Sequence, residues 1–170
     1  MNGKSSDKNF MQRGKDRLRK EQSQDPYTSH NRFREPTVCT GCDAVYLAGR
    51  WQWLPARLQA TNEDLCPACC RIRDKIPAGS LNLSGDFFEQ YRDEILSLVF
   101  HLVAYQKAEF PMKRIMDIED TDGGGVEINF TDTHLPHSVG ETIKHAYKGK
   151  LDIQAPDAAD SVRASWVRQQ

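Results

Sequence analysis

Five cysteines stand in a chain of 170 residues, and four of them fall into two Cys-x-x-Cys pairs. Cys39-Thr40-Gly41-Cys42 is the first and Cys66-Pro67-Ala68-Cys69 the second, with 23 residues between them. A two-residue spacer lets both sulfurs of a tight turn point at one ion, and two such turns complete the tetrahedral shell that zinc prefers. The expectation is one structural zinc ion held by Cys39, Cys42, Cys66 and Cys69. A shell of four thiolates leaves no position for water or substrate, so the site should support the fold rather than catalyse. Metal binding should then be coupled to folding. Two independent redox pairs would sit in a βαβ pattern, and none surrounds these cysteines. Gly41 before the second cysteine and Asp43 after it depart from the commonest ribbon pattern, which bears on the shape of the turn. Cys70, beside Cys69, reads as a small buried residue, with an alternate ligand or a reactive thiol near the metal as the competing reading.

Other candidate groups are weaker. His134 and His137 lie three apart and could share a metal, but no carboxylate or cysteine accompanies them at ligand spacing. They read as exposed residues at a helix end that could touch a partner. His101 reads as a structural histidine within a helix. Asp120-Thr121-Asp122-Gly123-Gly124-Gly125 has the composition of a calcium loop, yet aligning Gly123 on the required glycine puts Ile118 at the first ligand position. A turn is the better reading. No nucleophile is paired with an oriented base and no phosphate loop is present, so the chain reads as a non-enzyme. A thiol or redox enzyme using Cys70 is the outlying alternative.

The net charge of −1 averages three different segments. Residues 1–34 carry nine basic residues against four acids, residues 35–77 five of each, and residues 78–170 nine basic against fifteen acidic. The first segment has too little apolar content to offset chain entropy and reads as a disordered basic arm. Such an arm serves either as a nucleic-acid tail or as a solubilising leader. Arg13, Lys15, Arg17, Arg19, Lys20, Arg32 and Arg34 are its candidate phosphate contacts. No apolar stretch follows the polar N-terminus, so no signal peptide is expected. The longest mostly apolar run, Ile95–Ala104, is ten residues and contains Ser97 and His101, against the ~20 that span a bilayer. A cytoplasmic protein, with reduced thiols, is the expectation.

The elements that must position these groups are legible from periodicity. Val45-Tyr46-Leu47 and Arg50-Trp51-Gln52-Trp53 flank Gly49 and read as a hairpin. Trp51 and Trp53 share one face of a strand, as the module's core or as a stacking platform for unpaired bases. Arg71, Arg73 and Lys75 lie on a short helix after the second pair, as phosphate contacts or as a solvated face. Arg50 joins them as a candidate. A ligand pair leading into a helix points to a treble-clef-like module, with a ribbon-like one as the other form. Asp86-Phe87-Phe88-Glu89 has the form of a capping box. Phe88, Tyr91, Ile95, Leu98, Val99, Leu102 and Tyr105 recur at helical spacing, predicting a long helix over 86–109. Strands follow at Arg114–Glu119 and Val126–Phe130. A helix follows with Leu135, Val139, Ile143 and Ala146 as its stripe, then strands at Leu151–Ile153 and Val162–Trp166. The fold class is α+β: a disordered arm over 1–34, a zinc module over 35–79, a connecting long helix over 80–110 and a small β-β-α-β-β domain over 111–168. A short strand–helix–strand crossover favours a parallel, right-handed pair.

Several of these motifs together resemble a family of small, uncharacterised bacterial zinc-module proteins. They are Cys39…Cys42…Tyr46…Gly49-Arg50-Trp51, Cys66-Pro67-Ala68-Cys69-Cys70-Arg71-Ile72-Arg73-Asp74, Pro77-Ala78-Gly79, Leu83-Ser84-Gly85, Asp93-Glu94-Ile95, Thr131-Asp132-Thr133-His134-Leu135 and Tyr147-Lys148-Gly149-Lys150-Leu151-Asp152. The likeness covers about Pro36 to Trp166. That family is similar, more distantly, to the nonsense-mediated-decay-type adaptor of archaea and eukaryotes, which has paired-cysteine zinc modules followed by α+β domains and binds the large ribosomal subunit. The resemblance implies association with the ribosome or RNA, ribosomal RNA in particular. The acidic C-terminal half would face away from RNA or take a protein partner. The competing expectation is a protein-interaction adaptor that docks through the zinc module.

Overall fold

The computed structural model describes Tyr27 and residues 33–56, 58–59, 62–155 and 161–170. The basic arm expected over 1–34 therefore lies outside the described residues except for Tyr27, Phe33 and Arg34. Residues 32–170 form one compact unit; its described residues make two sheets and four helices.

The first sheet is built from three-residue strands: β1 (Thr37–Cys39), β2 (Val45–Leu47), β3 (Arg50–Gln52) and β4 (Asn62–Asp64). Its order is β3-β2-β1-β4. The expected hairpin is present, with Tyr46 opposite Trp51. Its two turn residues, Ala48 and Gly49, have φ of 54° and 77°, the left-handed pair that matches strand twist in a tight hairpin. Glu35 holds that turn: its carboxylate accepts from the amides of Ala48 (3.0 Å) and Gly49 (2.8 Å). Parallel pairing of β1 with β4 then delivers the chain to α1 (Pro67–Asp74). Strands this short bury little. The core here is Cys39, Ala44, Cys66 and Ala68, with Trp51, Trp53, Leu65 and Met112 packed against it.

The second sheet has five strands in the order β6-β7-β5-β9-β8: β5 (Gly79–Ser84), β6 (Ile115–Asp120), β7 (Val126–Phe130), β8 (Lys150–Gln154) and β9 (Val162–Val167). Between them come α2 (Asp86–Gln90), α3 (Arg92–Glu109) and α4 (Leu135–Tyr147). One face carries Leu81, Leu83, Val126, Ile128, Phe130, Ala164 and Trp166. Ile95, Val99 and Val103 of α3 and Leu135, Val139 and Ile143 of α4 cover it, together with Phe88. The other face presents polar residues such as Asn82, Glu127, Asn129 and Ser165, as strand alternation requires. No described helix is long and apolar enough to cross a membrane.

Five expectations are corrected. The segment 80–110 is not all helix: Gly79–Ser84 is the central strand β5, whose Leu81 and Leu83 alternate with small polar residues that otherwise mark a linker. The helix over 86–109 is two helices separated at Tyr91, where φ is −113° and ψ 24°. Asp86 does not act as N-cap; Gly85 does, with no side-chain cap, and its φ of 102° sets it against the Arg168 backbone. Tyr91 and Tyr105 point away from the core, Tyr105 being 74% exposed. Finally, β7 and β8 run parallel, as a strand–helix–strand unit should, but do not pair. β5 and β9 lie between them and form the sheet's adjacent parallel pair. Of the turn expected over 120–125, Asp120 ends β6 and the rest forms the turn, with Thr121 donating from its amide to the Gly125 carbonyl at 3.1 Å.

Candidate metal centre

Cys39 ends β1, and the chain doubles back at once. The Asp43 amide donates to the Cys39 carbonyl (2.9 Å) and the Cys39 amide to the Ala44 carbonyl (2.8 Å). The reversal puts Asp43 at φ 63°. Aspartate tolerates the left-handed region better than most residues, so it stands where a ribbon commonly has glycine. The Gly41 amide points at Cys39 Sγ (3.4 Å). A Cβ on Gly41 would meet Cys69 Sγ at 2.9 Å and Leu65 Cδ2 at 3.2 Å. Glycine is thus what lets the first turn close on the second pair. Gly41→Ala is expected to weaken metal retention on the order of tenfold, at the low end for disturbing a metal site's surroundings. Chelator competition checks this, and unchanged retention would show that the turn relaxes freely.

The second pair is set by α1. Cys66 is its N-cap, extended at φ −69° and ψ 160°, and Pro67 occupies the first turn without loss of a hydrogen bond. The Cys69 amide donates to Cys66 Sγ (3.4 Å), and the Cys66 amide donates to Cys39 Sγ (3.2 Å). The positive end of the helix favours thiolates there. The ligand atoms of Cys39, Cys42, Cys66 and Cys69 all lie within 4.8 Å of one another. Cys42 and Cys66 Sγ are 3.8 Å apart, and none of the four is in a disulfide. A tetrahedral centre with bonds of ~2.3 Å to sulfur has edges of ~3.8 Å. The residues fit a metal ion bound by four thiolates.

A cation shares this centre. Arg114 comes from the loop before β6 and is buried. It donates through Nη2 to Cys42 Sγ (3.0 Å) and through Nη1 to Cys69 Sγ (3.4 Å). Cys42 is held at about 4, far below the ordinary thiol range, first by the Cys66 thiol bonded to it and then, against burial, by the Ala44 backbone and by Arg114. Cys66 is pushed up by that same bond and by burial. Burial also pushes Cys69 up, against the bond from Arg114. Burial opposes the Arg114 charge, but the hydrogen bonds and charge of the cysteines outweigh it and raise its pKa. Nothing in the spacing of the sequence marks Arg114; only the folded chain brings it here.

Cys70 lies outside the four-sulfur cluster. Its Sγ is 3.8 Å from the Leu65 carbonyl, and burial pushes its pKa up, which works against a thiolate nucleophile. His134 and His137 are exposed at the start of α4. Asp132 caps that helix, accepting from the amides of His134 (2.8 Å) and Leu135 (3.1 Å). His101 is exposed and donates from Nδ1 to the Ser97 carbonyl (2.7 Å).

The expected nucleic-acid contacts divide. Arg13, Lys15, Arg17, Arg19, Lys20 and Arg32 lie outside the described residues. Arg34, Arg50 and Lys75 are exposed. Arg73 is exposed and bonds its neighbour Asp74 at 2.7 Å. Arg71 is corrected: it is only 2% exposed and donates to the Ile76 carbonyl at 3.1 Å, so it holds the end of α1 instead of meeting a phosphate. Trp51 is half-buried among Phe33, Tyr46 and the cysteine cluster, with ring centroids 5.0 Å from Phe33 and 5.5 Å from Tyr46. Its ring serves packing. Trp53 donates its indole N–H to the Lys107 carbonyl (2.7 Å). No protein-family model, curated protein or solved structure matches the chain.

Proposed function

We propose that the four cysteines hold one structural zinc ion in a treble-clef-like module, and that the chain is a non-catalytic factor that binds RNA, ribosomal RNA foremost. Zinc is favoured because four soft thiolates at tetrahedral spacing suit it over harder cations. The treble clef is favoured because one ligand pair sits in a turn before a hairpin and the other at a helix N-terminus. The observation that carries the RNA reading is the segregation of charge. A leader of nine basic residues against four acids runs straight into the metal module at Phe33 and Arg34. Phe33 is anchored there on Tyr46 and Trp51, and Arg50 and Lys75 add exposed cations. The acidic second sheet would face away from phosphates. The distant resemblance to a paired-cysteine adaptor that binds the large ribosomal subunit points the same way, and the cytoplasm is the compartment that suits reduced thiols.

Co-sedimentation with ribosomes tests this. The chain is expected to pellet with ribosomes at low salt and to be released as salt rises, because phosphate-driven binding falls steeply with ionic strength. A chain that stays free at both salts defeats the reading. The second reading, an adaptor that docks a protein through the zinc module, draws on Ile72 (40%) and Ile76 (48%), which that module exposes. Capture of one protein that survives nuclease treatment would favour it.

A further inference from the structure

Arg114 reaches the cysteine centre from outside the metal module, and neither ligand spacing nor the module's own fold requires it. It is 45 positions from Cys69 and 72 from Cys42 in the chain. Its Nη2 donates to Cys42 Sγ at 3.0 Å and lies 3.7 Å from Cys66 Sγ, while Nη1 reaches Cys69 Sγ at 3.4 Å. One planar fork thus spans sulfurs of both pairs. The remaining donor, Nε, is fixed by the Pro111 carbonyl at 2.7 Å. The backbone is fixed as well: the Arg114 amide donates to Thr131 Oγ1 (2.9 Å), and the Thr131 amide donates to the Arg114 carbonyl (3.0 Å). Trp53 lies beside the guanidinium, 5.8 Å from ring centroid to its central carbon. No carboxylate pairs with Arg114 among the described residues.

We propose that Arg114 is a working part of the metal centre: its guanidinium compensates the charge of the four-thiolate site, and metal occupancy in turn holds the second sheet against the metal module. The proposal rests on the zinc reading above. Zinc with four thiolates carries a net charge of about −2, and a buried charge is costly unless it is paired and hydrogen-bonded. The backbone amides of Gly41, Cys66 and Cys69 supply partial charges to the sulfurs of Cys39 and Cys66; Arg114 supplies a whole one, in the bidentate form that lysine cannot copy. The dependence is mutual. Whatever affinity Arg114 adds to the metal, the metal returns as free energy holding Arg114, Pro111 and Thr131 in place. Arg114 is a positioning residue here, since it acts through the sulfurs.

The test uses the full chain and three variants. Arg114→Met removes the charge and keeps the length, Arg114→Lys keeps the charge without the fork, and Met112→Ala loosens the same contact without touching charge. Zinc affinity is measured by competition with a chromophoric chelator, and the thiolate-to-metal absorption is read in the cobalt-substituted protein. Arg114→Met is expected to bind zinc about 10–100-fold more weakly and to shift the cobalt band to longer wavelength, because its sulfurs lose N–H donors. Arg114→Lys should fall between it and wild type, and Met112→Ala should lose less affinity than Arg114→Met with its band unmoved. In the wild type, removing the metal should speed hydrogen exchange at the Arg114 and Thr131 amides. An Arg114→Met affinity equal to that of wild type or of Met112→Ala overturns the proposal, as do unchanged exchange rates at those amides. Should Arg114→Met fail to fold, Arg114→Lys decides, and wild-type affinity with an unshifted band in it is the overturning result. A wild-type chain that takes up no zinc would instead sink the zinc reading itself.

Discussion

Cys66→Ser is expected to abolish metal binding and unfold the region from β1 to α1. Cys66 is fully buried and does three things at once. Its sulfur faces Cys42 at 3.8 Å, it accepts the Cys69 amide as the N-cap of α1, and its own amide donates to Cys39 Sγ. A serine hydroxyl can still cap the helix, but it is a poor fourth ligand for a soft-ligand site. The loss cannot be absorbed elsewhere, because four strands of three residues each leave almost no other core. For a structural zinc site the binding free energy is folding free energy, about 10–16 kcal/mol in small zinc modules, as large as the whole stability of an ordinary domain. The check is metal content by atomic emission together with hydrogen exchange over residues 37–74. Cys70→Ser is the control and should keep its metal, since Cys70 stands outside the cluster. A Cys66→Ser protein with full metal content and protected amides would refute the structural role.

Trp166→Ala should produce the largest loss in the second sheet. Trp166 is the largest fully buried side chain. It lies beside Leu83 on the central parallel pair and Leu151 on the edge, and it donates its indole N–H to the Lys148 carbonyl at 2.7 Å. Removing a buried ring of this size costs about 3–5 kcal/mol. The orphaned carbonyl adds to that. For a chain of this size each kcal/mol lowers the melting temperature by roughly 2–4 °C, so a fall on the order of 10 °C is expected in a circular-dichroism melt. Tyr105→Ala, at 74% exposure, should stay within about 0.5 kcal/mol of wild type. Equal melting points for the two variants would contradict the packing described.

The contrast between these residues explains how far the sequence could be read. The four cysteines were legible because their chemistry is in their spacing, and the stripe Leu135, Val139, Ile143 because helical periodicity is local. Gly79–Ser84 was not, because Ser80, Asn82 and Ser84 resemble linker residues until both neighbouring strands, each distant in sequence, are in place. The separation at Tyr91 leaves no mark in the apolar spacing. Arg71 and Arg73 share a short basic helix, yet one is buried and the other exposed; eight residues of helix do not reveal which face the rest of the chain will cover. Arg114 is the extreme case. A lone arginine after Pro111-Met112-Lys113 carries no local signal, and its role exists only through contacts that the folded chain creates.

The central pairing of β5 with β9 also sets an order of assembly. The cysteine cluster draws on residues 39–69 alone, so it can close early, apart from the guanidinium that arrives from Arg114. The second sheet cannot follow at the same pace. Its middle strand, Gly79–Ser84, stays open on one edge until Val162–Val167 has been made, after every other strand of that sheet. Pairings of such long sequence separation form slowly. During synthesis the apolar faces of Leu81 and Leu83 therefore wait longest for their partners, and an unpaired edge of this kind is where aggregation begins. Substitutions that slow the arrival of β9 should reduce the yield of folded protein more than equally destabilising substitutions in the metal module.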